Sequence, residues 1–456
     1  MGDEERRDSM EATPSPTEVT HEGPNDVENN EVSPSEKERK IEEVIRSNDE
    51  DEGYPEGGLR AWSVVAGTWA MMAFSFGYLN SFGVLQEFYS RDYLKEYSQS
   101  DIAWIGAVQY FFIFFMGLFA GRAFDLGLMR VFLAFAILLF SFSQMMLSLS
   151  TKYYQIFLSE GIALGIAFGL LFNLSVSAPT HWFKRRRATA MGVQASGSSM
   201  GGVLFPIVVR RLIDEIGFPW TMRFIGFLGL FCLGLSWFLM KTRLPPLVSY
   251  RNGGWRQVQW VDLSAFKMGS YTAFVFGSTL ILFGLYTPFT YLDIFTRTYN
   301  IPADGYWLSI LNAASIFGRI IPGLIADKVG RINTIVPHTI VATIFLFVFP
   351  LFTNLSMIAF TLIFGYCSGC YVSLIPACVA QLGPIHNVGT RLGMLFAVSS
   401  IGGLLGTPIS GFILGDSQPY NWWGALGYSG AVVCVGVACL ALSRMLAVNW
   451  KWRAKI

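Results

Sequence analysis

The sequence predicts an all-α integral membrane protein of twelve transmembrane helices, arranged as two six-helix bundles. Three observations carry this expectation. Of 456 residues, 52% are hydrophobic and 14% charged, with 39 Phe and 46 Gly, a composition far from that of soluble domains. Apolar runs of about 20 residues, long enough to cross a bilayer, recur along the chain. A charged turn near residue 125 is repeated near 327, an offset of 202.

The chain opens with a segment of another kind. Residues 1–56 hold 19 acidic and 6 basic side chains, are rich in Ser, Pro and Asn, and lack aromatics before Tyr54. Such a stretch buries too little apolar surface to offset its ordering entropy, so a disordered acidic cytoplasmic tail is expected. The remainder carries 13 acids and 27 bases, so the near-neutral total of +1 conceals an acidic tail and a basic body. No basic start with a short apolar run is present, and the first apolar span is expected to act as the insertion signal.

The predicted spans follow in order. The first six cover 62–86, 102–122, 128–149, 154–178, 188–209 and 222–241, within a first bundle over 57–242. A polar linker over 243–268 follows. The second bundle, over 269–447, holds spans at 270–292, 306–326, 334–353, 356–379, 389–413 and 424–446, and residues 448–456 form a short tail. With the N-terminus inside, the inner loops and tail hold 18 Lys and Arg against 7 outside, so both termini are expected in the cytoplasm. The six cysteines all fall in apolar stretches. The Cys367-x-x-Cys370 pair has no second pair and no nearby His, and reads as helix packing.

The repeat has a second component. The order Arg187, Met191-Gly192, Ser196-Gly197, Gly201-Gly202, Pro206 is echoed by Arg391, Met394, Ser399-Ser400, Gly402-Gly403, Pro408, with Arg187 and Arg391 204 apart. Two matches at nearly one offset imply parallel six-helix repeats, as in proteins whose halves rock about a central site.

The turn after the eighth span reads G-x-x-x-D-K-x-G-R (Gly323, Asp327, Lys328, Gly330, Arg331), and a looser copy follows the second span (Gly121, Asp125, Gly127, Arg130). This resembles the signature loop of the major facilitator superfamily, a resemblance covering nearly everything after residue 55. Pro55-Glu56-Gly57-Gly58 before Trp62 is similar to the acidic-Gly-Gly-aromatic lead-in of the monocarboxylate porter family. Trp182-Phe183-Lys184-Arg185-Arg186-Arg187-Ala188, with Gly192 and Gly197, resembles that family's connection between spans four and five. The acidic tail and the G-R-x-x-P-G wording at Gly318 resemble its fungal branch.

Asp125 and Asp327 end helices at the cytoplasmic face, where each can pair with Arg130 or Arg331 and with the N-terminus of a neighbouring helix. If such contacts form only when that face is shut, they bias the outward-open state; the other reading is that these charges only set topology. Arg319 lies about 12 Å deeper, from a rise of ~1.5 Å per residue. A charge at that depth faces a cavity or a partner, and the guanidinium fork suits a carboxylate. Arg319 is therefore the candidate substrate-anion anchor, against a snorkelling or carbonyl-bonded arginine. Proton-coupled members of the resembled family pair this arginine with an acid one turn earlier and a lysine in the first span. Here those positions are Ser315 and Asn80, which puts that route of proton symport in doubt and leaves Glu160, ahead of Glu87 and Asp293, as a substitute. Asn80, Asn312 and Gln109 are candidate substrate contacts, while Asn173, Gln194 and Tyr291 are further polar residues within spans. The rows Gly161-Gly165-Gly169, Gly197-Gly201 and Gly402-Gly406 are expected to be packing surfaces. Asn354 begins an N-x-S glycosylation candidate in a very short outer loop.

No G-x-x-x-x-G-K-[ST] phosphate loop occurs, so ATP-driven pumping is unsupported. His21, His181, His338 and His386 have no metal-ligand spacing, and no catalytic constellation is present. The chain is expected to be no enzyme, with neither cofactor nor metal and no nucleic-acid partner. What remains is a multi-pass transporter, most simply of the plasma membrane, whose partners are the lipid bilayer and a small organic anion or secondary metabolite. Export of such a metabolite competes with proton-linked uptake of a monocarboxylate or vitamin-like solute, and a non-transporting sensor is the remote alternative.

Overall fold

The computed structural model describes residues 54–243, 260–301, 306–352, 356–415, 418–451 and 454. Residues 1–53 of the expected tail over 1–56, most of the linker and Asn354 lie outside the described residues. Among the described residues all regular structure is helical. Ten helical stretches there are long and apolar enough to cross a membrane.

The first part of the chain folds as α1 (Gly58–Met72), α2 (Phe82–Phe88), α3 (Gln99–Phe115), α4 (Gly117–Asp125), α5 (Met129–Leu147), α6 (Tyr153–Ile156), α7 (Gly165–Ser177) and α8 (Arg187–Leu239). The second part contains α9 (Gly269–Leu285), α10 (Thr287–Thr298), α11 (Trp307–Val329), α12 (Arg331–Val348), α13 (Ser356–Val379), α14 (Val388–Leu414) and α15 (Trp422–Ala447).

Two departures from the expected spans affect the count. The stretch expected to be continuous over 62–86 is broken: α1 passes into a π-helical segment at Ala73–Gly77 and then a turn before α2. The π segment ends in close packing, where a Cβ on Gly77 would sit 2.8 Å from the Gly201 Cα and 3.0 Å from the Ser198 carbonyl oxygen. Conversely, α8 runs through both the fifth and sixth predicted spans. It is two helices that meet at a break at Gly217, whose φ of 78° suits only a residue without a Cβ.

The exterior is apolar where a bilayer would lie. On the outer face of α8, Phe224, Phe227, Phe231, Leu235 and Phe238 recur at helical spacing and are all exposed. The interior packs through glycine notches. Gly197 lies against the Trp69 carbonyl, Gly169 against that of Phe112 and Gly406 against that of Phe283. A side chain at any of these positions would push two helix backbones apart.

Candidate functional site

The two aspartate turns perform the same task with their partners exchanged. Asp125, at the end of α4, accepts from Gly389 N (3.0 Å), Thr390 N (2.7 Å) and Thr390 Oγ1 (2.6 Å) in the first turn of α14. Asp327, near the end of α11, accepts from Ala188 N (2.9 Å), Thr189 N (2.9 Å) and Thr189 Oγ1 (2.7 Å) in the first turn of α8. Each carboxylate satisfies amides that a helix start leaves without intrahelical partners, and sits where the helix dipole favours an anion. Thus an acid from each half of the sequence closes onto a helix of the other half.

The helix crossings beneath repeat the pattern. Gly121 meets the Gly389 carbonyl and Gly393 that of Gly117, while Gly192 meets the Arg319 carbonyl and Gly323 that of Ala188. The arginines of the turns point elsewhere. Arg130 donates to the Met240 carbonyl at 3.5 Å and stacks on Trp237, and Arg331 donates to the Lys184 carbonyl at 2.6 Å. Arg187 ties the same end together by donating to the Ala380 carbonyl at 3.1 Å.

Deeper in the bundle lies a small cavity. Phe76 and Asn80 come to it from the first helical stretch, Leu285 and Tyr286 from the end of α9, and Phe289 from α10. Asn312, Ser315 and Arg319 line it from α11, and Ser368 and Val372 from α13. It offers about 10 Å³ of room for the centre of a water molecule, the space of a single water. In this conformation the cavity has no room for an organic solute.

Arg319 is 4% exposed, and its Nη1 donates to the Ala195 carbonyl at 2.5 Å and to Ser198 Oγ, both on α8. Its Nε has no hydrogen-bond partner, nor has the Oγ of Ser315 one turn earlier. A buried donor left open costs free energy unless something fills it. A carboxylate is suited to do so, since the guanidinium fork can offer it two donors.

Asn80 and Asn312 meet across Gly202. A Cβ there would lie 2.8 Å from Asn312 Oδ1 and 2.9 Å from Asn80 Nδ2, so the pair occupies a notch that only glycine leaves. Each amide also donates to the carbonyl four residues earlier, at 3.0 Å to Phe76 and 3.0 Å to Leu308. Gln109 is not in this cavity; its amide donates 2.9 Å to the backbone oxygen of Glu160. Asn173 bonds Ile113 and Gly169 carbonyls, Gln194 bonds Ser175, and Tyr291 bonds the Thr407 carbonyl, all at helix contacts. Among the described residues no three of His, Cys, Asp and Glu are grouped so as to hold a metal ion.

Sequence reasoning passed over two further contacts. Glu56, quoted only as part of the lead-in, accepts from the backbone amides of Lys184 (2.9 Å), Arg185 (2.5 Å) and Arg186 (3.1 Å). Tyr54 beside it lies under Lys184 and Arg243. Second, the Ala195–Ser198 acceptors for Arg319 could not be found from sequence, because a backbone carbonyl has no residue signature. The abundance of Ser around Gly197 was the only available sign.

Comparison with known proteins agrees with this architecture. A family model described as Major Facilitator Superfamily matches residues 61–407. "MFS transporter asaE" of Aspergillus flavus is 37% identical over 407 residues, covering 88% of this chain and 91% of that protein. "Aspyridones efflux protein apdF" of Emericella nidulans is 37% identical over 403 residues, covering 86% and 81%. In fold, the chain resembles the crystal structure of the human organic anion transporter MFSD10 (TETRAN), with a TM-score of 0.64 at 15% identity, over 84% of this chain and 100% of that one. With most of its length matched by both the family model and these relatives, the chain belongs to the Major Facilitator Superfamily.

Proposed function

We propose that the chain is a secondary transporter that exports an organic anion or amphipathic secondary metabolite by alternating access to the Arg319 cavity. The observation that carries this reading is the buried guanidinium Nε beside an unpartnered Ser315 hydroxyl, in a cavity walled by Phe76, Tyr286 and Phe289. A bound anion would take donors now turned toward Ala195 and Ser198, and aromatic walls suit a less polar body than lactate. The name of the Emericella relative, an efflux protein for aspyridones, supports export.

In this reading the polypeptide crosses the bilayer twelve times, the broken first stretch counting once and α8 twice about Gly217. The bundles span 57–242 and 269–447, both termini are cytoplasmic, and the membrane is the plasma membrane. The Asp125 and Asp327 turns then close the cytoplasmic end, which biases the outward-open state. Arg319 anchors the anion and Asn80 and Asn312 contact its body, while Gln109 is assigned to helix packing. Membership of the monocarboxylate porter family, fungal branch, rests on the Glu56-Gly57-Gly58 and Lys184–Arg187 resemblances.

The test is efflux of radiolabelled naphthoate and of lactate from preloaded cells expressing wild type or Arg319→Ala, with surface expression matched. Export of naphthoate by wild type and its loss in Arg319→Ala is the expected result. Acid-stimulated uptake of lactate alone, lost in the same variant, would replace export with monocarboxylate uptake. Flux undiminished in Arg319→Ala would remove the anchor assignment.

A further inference from the structure

The first bundle buries a carboxyl group that the central cavity does not use. Glu160 is 1% exposed and lies about 10 Å along the helix axis from Tyr153, at a rise of ~1.5 Å per residue. Its Oε2 accepts from Tyr89 Oη at 2.5 Å. Among the described residues no Arg, Lys or His forms an ion pair with it.

The groups around it come from every packed element. The first helical stretch supplies Tyr89 and Tyr78, with Tyr93 beyond; the Tyr78 hydroxyl reaches the Met222 sulfur at 3.7 Å. From α3 comes Gln109, bonded to the Glu160 carbonyl, while Tyr110, one residue on, packs instead against Phe76 and Tyr286; Asp101 stands exposed at the start of that helix and its carbonyl takes the Tyr153 hydroxyl. From α5 comes Gln144, beside Tyr78, with neither amide atom in hydrogen-bond geometry; the charged residue of that helix, Arg130, lies at its other end. No titratable residue occurs in α7. Arg223 of α8 is engaged by Ser148 Oγ at 3.1 Å and by Trp220.

A carboxylate with one donor and no cation is costly at membrane depth, whereas a neutral carboxyl is not. The neutral form has an O–H to donate, and the unused Gln109 Oε1 and Gln144 Oε1 give acceptors within the cluster. Glu160 also lies in a π-helical segment, Phe157–Leu164, and Tyr89 begins another, Tyr89–Tyr93. Such segments are rare, concentrate at functional sites, and allow a one-residue shift of register. The stretch that carries Tyr78 and Tyr89 carries Phe76 and Asn80 as well, so it faces Glu160 on one side and the cavity on the other.

We infer that Glu160 is a proton-binding site outside the central cavity, and that its loading is transmitted through Tyr89 to the helix lining that cavity. Loading forms one O–H bond on a carboxyl oxygen as one O–H bond of hydronium breaks and leaves water; unloading breaks the carboxyl O–H bond and re-forms hydronium, with no change of oxidation state. The coupling step rests on the transport reading above, whereas the binding site itself does not.

Two measurements separate them. The first is the infrared band of protonated carboxyl across a pH titration of purified, bilayer-reconstituted wild type, Glu160→Gln and Tyr89→Phe, without substrate. A titrating component missing in Glu160→Gln and displaced in midpoint in Tyr89→Phe is expected. Superimposable wild-type and Glu160→Gln titrations would overturn the site, as would an unmoved midpoint in Tyr89→Phe should Glu160→Gln fail to fold. The second is naphthoate flux in proteoliposomes with and without an imposed pH gradient. Glu160→Gln is expected to keep equilibrium exchange and lose at least about tenfold of the gradient-driven component. A gradient response equal to wild type would overturn the coupling, and absence of wild-type flux would refute the transport reading and with it the coupling, leaving the proton site to the infrared result.

Discussion

Replacing Asp327 by Asn is the most direct probe of what the aspartate contacts between the two halves contribute. The carboxylate accepts three hydrogen bonds at 2.7–2.9 Å from Ala188 and Thr189. Asparagine keeps one acceptor oxygen and turns an NH₂ toward the remaining donors, so at least one bond and the anionic charge are lost. A hydrogen bond to a charged group contributes about 1.5–3 kcal/mol, and an anion at a helix start about 0.3–1 kcal/mol. The closed arrangement should therefore weaken by about 2–4 kcal/mol, raising the open population at least about 30-fold at ~1.4 kcal/mol per factor of ten. Hydrogen–deuterium exchange read on peptides over 185–192 and 386–393 measures this. Exchange at Ala188 and Thr189 should accelerate, and so should exchange at Gly389 and Thr390, which Asp327 does not touch, because rigid halves release both turns together. Acceleration confined to the first peptide would show that the turns open independently. No acceleration at either would show that these bonds do not hold the end closed.

Other perturbations follow from neighbouring contacts. Gly121→Ala drives a methyl into the Gly389 carbonyl, and should cost about 1–3 kcal/mol of stability, seen as a lowered Tm and faster exchange at 386–393. Glu56→Ala strips three backbone amides of their acceptor, and should speed tryptic cleavage after Lys184, Arg185 and Arg186 severalfold while leaving flux within about twofold. Arg319→Lys keeps the charge without the fork; it should retain partial naphthoate efflux with an apparent affinity weakened about tenfold or more, measured as initial rate against concentration. Gly202→Val fills the notch under Asn80 and Asn312 and should abolish flux at unchanged surface expression.

The helical fold was legible because bilayer-length apolar runs and charged turns are properties of short windows of sequence. The turns at 125 and 327 were legible as a duplication, and their helix-start partners followed from the affinity of such starts for anions. Less visible were the breaks. Neither the π segment at Ala73–Gly77 nor the bend that joins two predicted spans at Gly217 has a local composition signal. At the site, Arg319 stood out by its charge, and Asn80 and Asn312 by the spans they occupy. Gln109 lies outside the cavity; an amide in an apolar helix looks the same in sequence whether it faces a cavity or a neighbour's backbone.

The exchanged partners of Asp125 and Asp327 bear on how the chain is made. Asp125 waits for residues 264 and 265 positions downstream, whereas Asp327 reaches back 139 and 138 to amides already synthesised. While the first half leaves the ribosome, its aspartate has no helix to receive it and the start of α8 has no acid to meet. The Asp327 contact cannot form until α11 has emerged, and the Asp125 contact waits longer, for α14. The nascent protein therefore passes through insertion with neither aspartate bonded to the other half, and acquires both contacts only when nearly all of it exists.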